Sequence, residues 1–239
     1  MTQIQSQRHP LRPVRIPLHL MLVAISIVMI FPFAWMLLTS IKTVTESTRM
    51  NPFSFFPQIS QWSNYQIVWQ QNDFPQLYLN TFAMVIFRVA CALLFSAMAA
   101  YAFARLHFPG KGFFFGLVLF QMMVPTQLFV IPQYLMIDRM GLRNTIFALV
   151  FPGLVSAFGT FLMRQFFLTI PKSLQEAAWM DGAGRFWVFL KIVLPLSKPV
   201  LLTYGLMSFL ANWNDYLWAL IVTYAPRMRT LPVGILTLQ

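Results

Sequence analysis

Few residues in this chain have the types and spacing that catalysis or metal binding requires. The 3 histidines, at positions 9, 19 and 107, share no metal-ligand spacing, and the single Cys91 cannot form an intramolecular disulfide. Residues 109–112 form a basic turn that lacks the preceding glycine and the following hydroxyl of a phosphate-binding loop. Neither a Ser/His/Asp or Cys/His arrangement nor a pair of carboxylates stands at a plausible site. The sequence therefore predicts a chain that is not an enzyme and that binds no metal and no ATP itself.

Two charged residues stand instead inside long apolar runs, where an ionisable side chain costs about 2.5–3.5 kcal/mol on insertion scales and needs a partner or a wet cavity. Arg88 lies about 11 residues, or roughly 16 Å, into one run, and Asp215 lies about 16 residues, or roughly 24 Å, into another. Measured from opposite sides of a core about 30–40 Å thick, these depths nearly coincide. Three interpretations remain open: an ion pair, polar contacts that join helices, or a translocation path lined by Asp215, Asn212 and Asn214.

The composition explains why these runs are interpreted as membrane spans. Hydrophobic residues make up 58% of the 239 residues, charged residues make up 10%, and the mean hydropathy is +0.66. A net charge of +11 would suggest a nucleic-acid partner in a soluble protein, but here the basic residues stand between the apolar runs. The sequence predicts an integral membrane protein whose environment is lipid and which binds no nucleic acid.

Five apolar runs are long enough to cross a bilayer, because roughly 20 helical residues span a hydrocarbon core about 30 Å thick. The sequence predicts an all-α polytopic fold, with an N-terminal segment at 1–16 and a membrane domain at 17–239. Internal prolines at positions 32, 125 and 132 are expected to kink helices without ending them. Gln121 and Gln127 either face a polar pathway or join helices by hydrogen bonds. The predicted spans are residues 17–41, 77–104, 112–137, 144–163 and 199–224.

The distribution of lysine and arginine predicts the orientation of the chain. With the N-terminus in the cytoplasm, 10 of the 17 basic residues lie in cytoplasmic segments, 6 lie on the opposite side, and Arg88 lies inside a span. The positive-inside rule therefore favours a cytoplasmic N-terminus. The first apolar run follows basic residues as a signal peptide does, but it is too long and lacks a small-residue cleavage site, so we expect it to be retained.

The outer loop at residues 42–76 is rich in aromatic side chains. Such side chains suit the membrane–water interface, where one end of the ring system is apolar and the other is wet. A docking surface for an external partner is the alternative interpretation. The aromatic residues concerned are Phe53, Phe55, Phe56, Trp62, Tyr65 and Trp69.

The loop at residues 164–198 has more structure than a turn requires. It holds 7 charged residues, and Ser173 is followed three positions later by Glu176, which is the pattern of a capping box. A short helix is therefore expected to begin at Leu174, with Ser173 as its N-cap. Gly182 and Gly184 are expected to end that helix after about two turns by adopting positive φ. The alanines at 177 and 178 would leave one face thin enough for another protein to approach closely.

At this loop the sequence resembles a known family. The residues Glu176-Ala177-Ala178, Gly182 and the later Ile-x-Leu-Pro at 192–195 stand at the spacing of the EAA loop. That loop is typical of the inner-membrane permease subunits of binding-protein-dependent ABC importers. Further segments, at 99–105, 108–111, 170–171 and 213–215, are similar to the sugar-permease branch, typified by the maltose and glycerol-3-phosphate systems. The resemblance covers most of the chain.

The resemblance implies a type I ABC importer permease in the bacterial inner membrane, acting by alternating access as one half of a permease pair. It implies a carbohydrate or a glycerol-3-phosphate-like solute. The expected partners are a second permease subunit, an extracytoplasmic solute-binding protein and two ATPase subunits that bind ATP and Mg. Coupling to the ATPase is expected at Glu176, Ala177, Ala178, Asp181 and Gly182, although Glu176 could instead serve only as a capping residue.

Two further expectations concern the end of the chain and the competing functions. Permeases of this family usually have a further span after a segment like that at 229–234, so a chain that stops at Gln239 is expected to be truncated or to have lost that span. The competing functions are a permease for another small solute such as a polyamine, or a membrane channel or scaffold. No carbonyl-filter sequence supports the channel.

Overall fold

The computed structural model describes residues 15–48 and 54–237. These residues are mostly helical and contain no strand, which confirms the predicted all-α class. The chain divides into two compact units, Met1–Gln71 and Asn72–Gln239. Most of the predicted N-terminal segment at 1–16 lies outside the described residues.

The first unit contains one long helix and two short ones. Helix α1 is Arg15–Ser40, α2 is Val44–Thr48 and α3 is Ser63–Gln71. Helix α1 continues through Pro32 and matches the first predicted span. Its apolar stretch Pro17–Ser40 is long enough to cross a membrane and has exposed side chains along most of its length.

Part of the aromatic outer loop packs on the end of α1. The ring of Phe55 lies 5.4 Å from that of Trp35, and the Nζ of Lys42 lies 4.5 Å from the Trp35 ring centroid. The same Lys42 Nζ donates to the carbonyl of Ser54 at 2.6 Å. The Glu46 carboxylate accepts from the backbone N–H of Gln58 at 2.9 Å, and this hydrogen bond lowers the pKa of Glu46. Phe53 lies outside the described residues.

The second unit is built around one uninterrupted helix. Helix α4 is Phe74–Arg105, 32 residues long, and it contains the second predicted span. Its N-cap is Asp73, whose side chain accepts from the backbone N–H of Gln76 at 3.2 Å. The shorter helices of this unit are α5 Lys111–Met123, α6 Val130–Arg139, α7 Ile146–Val150, α8 Ala157–Thr169, α9 Ser173–Met180, α10 Arg185–Val188, α11 Leu194–Leu196, α12 Lys198–Trp213, α13 Leu217–Val222 and α14 Leu231–Leu236.

The third and fourth predicted spans are broken rather than continuous. Helix α5 meets the helical stretch Thr126–Arg139 at 101°, and Val124 between them has the extended backbone that a following proline favours. The stretch Ile146–Gly153 meets α8 at 46°. Helix α8 begins anew after Ser156, whose hydroxyl oxygen accepts from the backbone N–H of Gly159 at 3.0 Å.

The fifth predicted span is also interrupted. Helix α12 ends at Trp213 and α13 begins at Leu217. On its other side, α12 meets the helical stretch Arg185–Leu196 at 76°, so much of the predicted loop at 164–198 is helical. Among the described residues, two helices are long and apolar enough to cross a membrane, or up to five if each bent pair counts as one span.

Two apolar cores lie along α4. One core surrounds the end that carries Tyr101 and includes Phe167 of α8 and Ala178 of α9. The other surrounds Met84 and includes Leu149 of α7 and Trp218 of α13. Helix α4 therefore packs against the short helix α9 in one core and against α7 and α13 in the other.

The segment after α13 folds back onto the beginning of α4. The Asn80 Nδ2 donates to the carbonyls of Arg227 and Arg229 at 2.8 and 2.9 Å. The Thr81 hydroxyl oxygen accepts from the backbone N–H of Leu231 at 2.7 Å. These hydrogen bonds position the start of α14, a helix that the sequence analysis did not predict.

Candidate functional site

Helix α9 is the short helix predicted between the fourth and fifth apolar runs. Its 8 residues make two turns, and Gly182 has a φ of +81° directly after the helix, as predicted. The backbone N–H of Gly182 donates to the carbonyl of Trp179 at 3.0 Å, and the backbone N–H of Ala183 donates to the carbonyl of Ala178 at 2.9 Å. This pair of hydrogen bonds is the Schellman pattern that ends a helix sharply.

The predicted capping of α9 is wrong in two respects. Ser173 is the first helical residue rather than the N-cap, and no side chain caps the helix start. Lys172 already has helical φ and ψ of −63° and −32°, and its carbonyl accepts from the backbone N–H of Glu176 at 3.0 Å. Because the helix starts one residue early, the Ser173 hydroxyl lacks the extended backbone that an N-cap requires. Gly184 has a φ of −71°, so its predicted positive φ is also wrong.

One face of α9 borders an open groove of about 610 Å³. Leu174, Ala177, Ala178 and Asp181 lie on this face because positions i, i+3, i+4 and i+7 of a helix point the same way. Asp181 and Gly182 are exposed, and Ala178 is buried in the core. Glu176 is exposed and does not line the groove. The remaining lining residues are Gly182, Ala183, Gly184, Trp187 and Ile192.

The chain on both sides of α9 is attached to the end of α4. The Tyr101 hydroxyl donates to the carbonyl of Arg185, which follows α9, at 3.2 Å. The Arg105 guanidinium donates to the carbonyls of Phe167 and Ile170, which precede α9. Both side chains are buried. Residues 99–105 resemble a segment of the sugar-permease branch, but nothing in their pattern indicates these main-chain contacts.

A second polar cluster surrounds Arg88, which is only 3% exposed. Its Nη1 donates to Asp215 Oδ2 at 2.6 Å and to Asn212 Oδ1 at 2.9 Å. Its Nε donates to the carbonyl of Leu149 at 2.7 Å. The aliphatic stem of Arg88 passes over Gly153, where a β carbon would lie 2.6 Å from Arg88 Cδ. The two charges that stand at similar predicted depths are therefore in direct contact.

A cavity of about 710 Å³ adjoins this cluster. Three helix breaks, at residues 124–125, 154–156 and 214–216, contribute Val124, Val155, Ser156 and Asp215 to its lining. This placement suits a membrane protein, because non-helical backbone is tolerated there only beside protein or water. Asn214 lies outside the cavity, and its Nδ2 donates to the carbonyl of Leu210 at 2.8 Å. The polar lining residues besides Arg88 and Asp215 are Gln121, Thr126, Gln127, Gln133, Ser156 and Asn212.

Comparison with known proteins identifies relatives of this chain. Residues 92–238 match the family model described as "Binding-protein-dependent transport system inner membrane component". The arabinooligosaccharides transport system permease protein AraQ of Halalkalibacterium halodurans is 33% identical over 216 residues, covering 90% of this chain and 77% of that protein. The sn-glycerol-3-phosphate transport system permease protein UgpE of Yersinia pestis is 31% identical over 223 residues, covering 91% and 79%.

A solved structure has the same fold over nearly the whole chain. It is the crystal structure of a bacterial ABC transporter involved in the import of the acidic polysaccharide alginate. The match has a TM-score of 0.78 and 27% sequence identity, and it covers 95% of this chain and 81% of that one.

Proposed function

We propose a carbohydrate-import function for this chain, which belongs to the family of binding-protein-dependent transport system inner membrane components. The chain is an integral membrane permease subunit and a transport component rather than an enzyme. Its solute is a carbohydrate or a glycerol-3-phosphate-like compound, as the names of the two relatives suggest. Those names include an uncharged and an anionic solute, so the relatives leave the charge of the solute open.

The single observation that best supports coupling to an ATPase is the geometry of α9. The helix is short, sharply ended at Gly182 and bordered by an open groove that contains Ala177 and Asp181. Its two flanks are hydrogen-bonded to α4, so a displacement of α9 moves a long helix instead of being absorbed by a flexible linker. In the proposed complex, α9 binds an ATPase subunit through Ala177, Ala178, Asp181 and Gly182, and the exposed Glu176 adds a charged contact.

The proposed complex contains four further proteins. A second permease subunit completes the translocation path, two ATPase subunits bind ATP and Mg, and an extracytoplasmic solute-binding protein delivers the solute. In this arrangement the N-terminus and α9 lie on the cytoplasmic side of the bacterial inner membrane, as the positive-inside rule favours.

The cavity beside Arg88 is the part of the translocation path that this chain would contribute. In many secondary transporters the substrate site lies where discontinuous helices meet within the membrane, and this cavity lies at three comparable breaks. Asp215 and Asn212 line it, whereas Asn214 does not. Asn214 is therefore not included in the proposed path.

Reconstitution of the complete complex in proteoliposomes tests this function. We expect uptake of a labelled oligosaccharide to require both ATP inside the vesicle and the solute-binding protein outside. Flux that is independent of ATP would contradict the importer and support a channel. ATP-dependent uptake of a polyamine without uptake of any saccharide would contradict the carbohydrate assignment alone.

A further inference from the structure

We propose that the cavity beside Arg88 selects uncharged polyhydroxy solutes over anionic ones. This inference rests on the proposed transport function and adds to it the charge class of the solute. The evidence for it is the pairing of charges in the cavity. Neither the family nor its relatives determine the charge of the solute.

The charges of the cavity cancel. Among the described residues that line it, only Arg88 and Asp215 are charged, and their side chains are in contact at 2.6 Å. Arg88 has further acceptors in Asn212 Oδ1 and the Leu149 carbonyl, so Nε and Nη1 are already bonded within the protein. Its third nitrogen, Nη2, has no hydrogen-bond partner among the described residues, but it is buried and not accessible to solvent. A solute carboxylate or phosphate that entered would displace no weakly held counter-ion and would find no cation without a partner carboxylate.

Because the Arg88–Asp215 pair is largely buried, the cancellation of its two charges strongly affects the cost of bringing an anion into the cavity. The side chain of Arg88 is 3% exposed and that of Asp215 is 25% exposed. An anion that leaves water for such a site loses hydration, and only a nearby cation or several donors can offset that loss. Because the Arg88 charge is balanced at contact distance, its attraction for a second anion falls off as that of a dipole.

The remaining polar lining suits hydroxyl groups. Gln121, Gln127 and Gln133 each present an amide, which both donates and accepts hydrogen bonds, as sugar hydroxyls also do. Within the described residues, the side chains of Gln121 and Gln133 have no hydrogen bond that would occupy them. Phe129 and Phe158 add apolar surface for the C–H faces of a sugar ring. The volume of about 710 Å³ lies within the usual range of small-molecule sites.

A charge inserted into the cavity tests the inference without disturbing the ion pair. Gln127 is exposed to the cavity, and its only hydrogen bond in the described part of the chain is a 3.5 Å contact with Thr126. Gln127→Lys makes the cavity cationic and Gln127→Glu makes it anionic. Asn214→Lys is the matched control, because it adds the same charge in the same region but outside the cavity.

The measurement is ATP-driven uptake by the complete reconstituted complex with one unchanged solute-binding protein. The two probes are a neutral oligosaccharide and the oligosaccharide of the same length that carries a single uronate. We expect the native chain to favour the neutral probe, Gln127→Lys to lower the neutral-to-uronate ratio roughly tenfold, and Gln127→Glu to raise it. Asn214→Lys should leave the ratio unchanged.

The outcomes separate this inference from the function on which it rests. Preference of the native chain for the uronate, or a ratio that responds equally to Gln127→Lys and Asn214→Lys, would overturn the selectivity and leave the importer intact. Absence of ATP-dependent uptake of both probes would overturn the transport function itself. Uptake of the neutral probe with the expected variant shifts would support both.

Discussion

Two buried arginines on α4 bind their partners in different ways. Arg88 contacts the Asp215 carboxylate and the Asn212 side-chain amide at the end of α12 and one carbonyl of α7, whereas the hydrogen bonds of Arg105 go to main-chain carbonyls at the end of α8. Main-chain carbonyls are present whatever the side chains are, and a helix C-terminus carries partial negative charge. The site at Arg105 is thus set by the backbone, while the site at Arg88 depends on the identity of Asn212 and Asp215.

The helix between these arginines has a consequence for coupling. Arg88 and Arg105 are 17 positions apart on an uninterrupted helix, which corresponds to roughly 26 Å along its axis. Because α4 is continuous while its neighbours are broken, we expect movement at α9 to reach the cavity as a displacement of α4. The neighbours would accommodate that displacement at their breaks.

The largest expected effect is that of Arg88→Met. Removing the cation leaves Asp215 without its partner inside the protein, and we expect a loss of about 3 kcal/mol in the free energy of unfolding, at the lower end for broken buried pairs because Asp215 is partly exposed. Thermal unfolding in detergent measures the loss. The double variant with Asp215→Leu should be more stable than Arg88→Met alone, and a double variant that is no better would contradict the role of the pair.

Arg105→Met should have the next largest effect. It removes the side-chain donor from the carbonyls of Phe167 and Ile170, at a cost of about 2 kcal/mol, although the Phe167 carbonyl still accepts from the backbone N–H of Ile170 at 3.3 Å. At Arg88 a second substitution, at Asp215, can remove the unpaired partner. At Arg105 no second substitution can do so, because the partners are backbone atoms. Arg105→Lys, which retains a cation, should recover part of the unfolding midpoint. Equal loss in both variants would show that the shape of the guanidinium, rather than its charge, is what the site requires.

Gly153→Ala should destabilise the Arg88 region by about 1–2 kcal/mol. The added methyl group would lie 2.6 Å from Cγ and Cδ of Arg88, so the arginine stem must shift away from its partners. Gly116→Ala is the control, because a β carbon there meets nothing within 4 Å and alanine favours the helix. The comparison of the two unfolding midpoints isolates the contact with Arg88. Equal midpoints would mean that the stem has room to move.

Tyr101→Phe should have the smallest effect on stability and a clear effect on coupling. The variant loses the 3.2 Å hydrogen bond to the Arg185 carbonyl, worth about 1 kcal/mol, and keeps the aromatic packing against Phe189. In proteoliposomes, we expect fewer solute molecules transported per ATP hydrolysed. If the ratio of transport to hydrolysis does not change, the attachment of α9 to α4 through Tyr101 plays no part in coupling.

The long helices could be predicted from the sequence and the breaks could not. A sufficiently long, mostly apolar run is the property that makes a helix suit a bilayer, so α1 and α4 follow from composition. The presence of a proline does not show whether a helix continues through it. Helix α1 continues through Pro32, whereas the chain turns sharply at Pro125. The same residue type therefore has opposite outcomes at the two positions, and the sequence does not indicate which outcome applies.

The candidate sites show the same division. The depths of Arg88 and Asp215 suggested their contact, but the third acceptor of Arg88 is a carbonyl, and main-chain atoms have no signature in the sequence. At α9 the glycine after the helix was predicted correctly, because positive φ favours glycine. The Ser-x-x-Glu pattern failed because the backbone turns helical at Lys172, one residue before the expected cap.

The proposed binding of α9 to an ATPase is tested most directly by one substitution in its groove. Ala177 is exposed and lines the groove, so Ala177→Trp fills the docking surface without entering the core, whereas Lys191→Trp places the same side chain at an exposed position outside it. The measurement is co-purification of the ATPase subunits with each variant of the complete complex. We predict that Ala177→Trp loses the ATPase and that Lys191→Trp retains it. Retention of the ATPase by both variants would contradict the coupling role of α9.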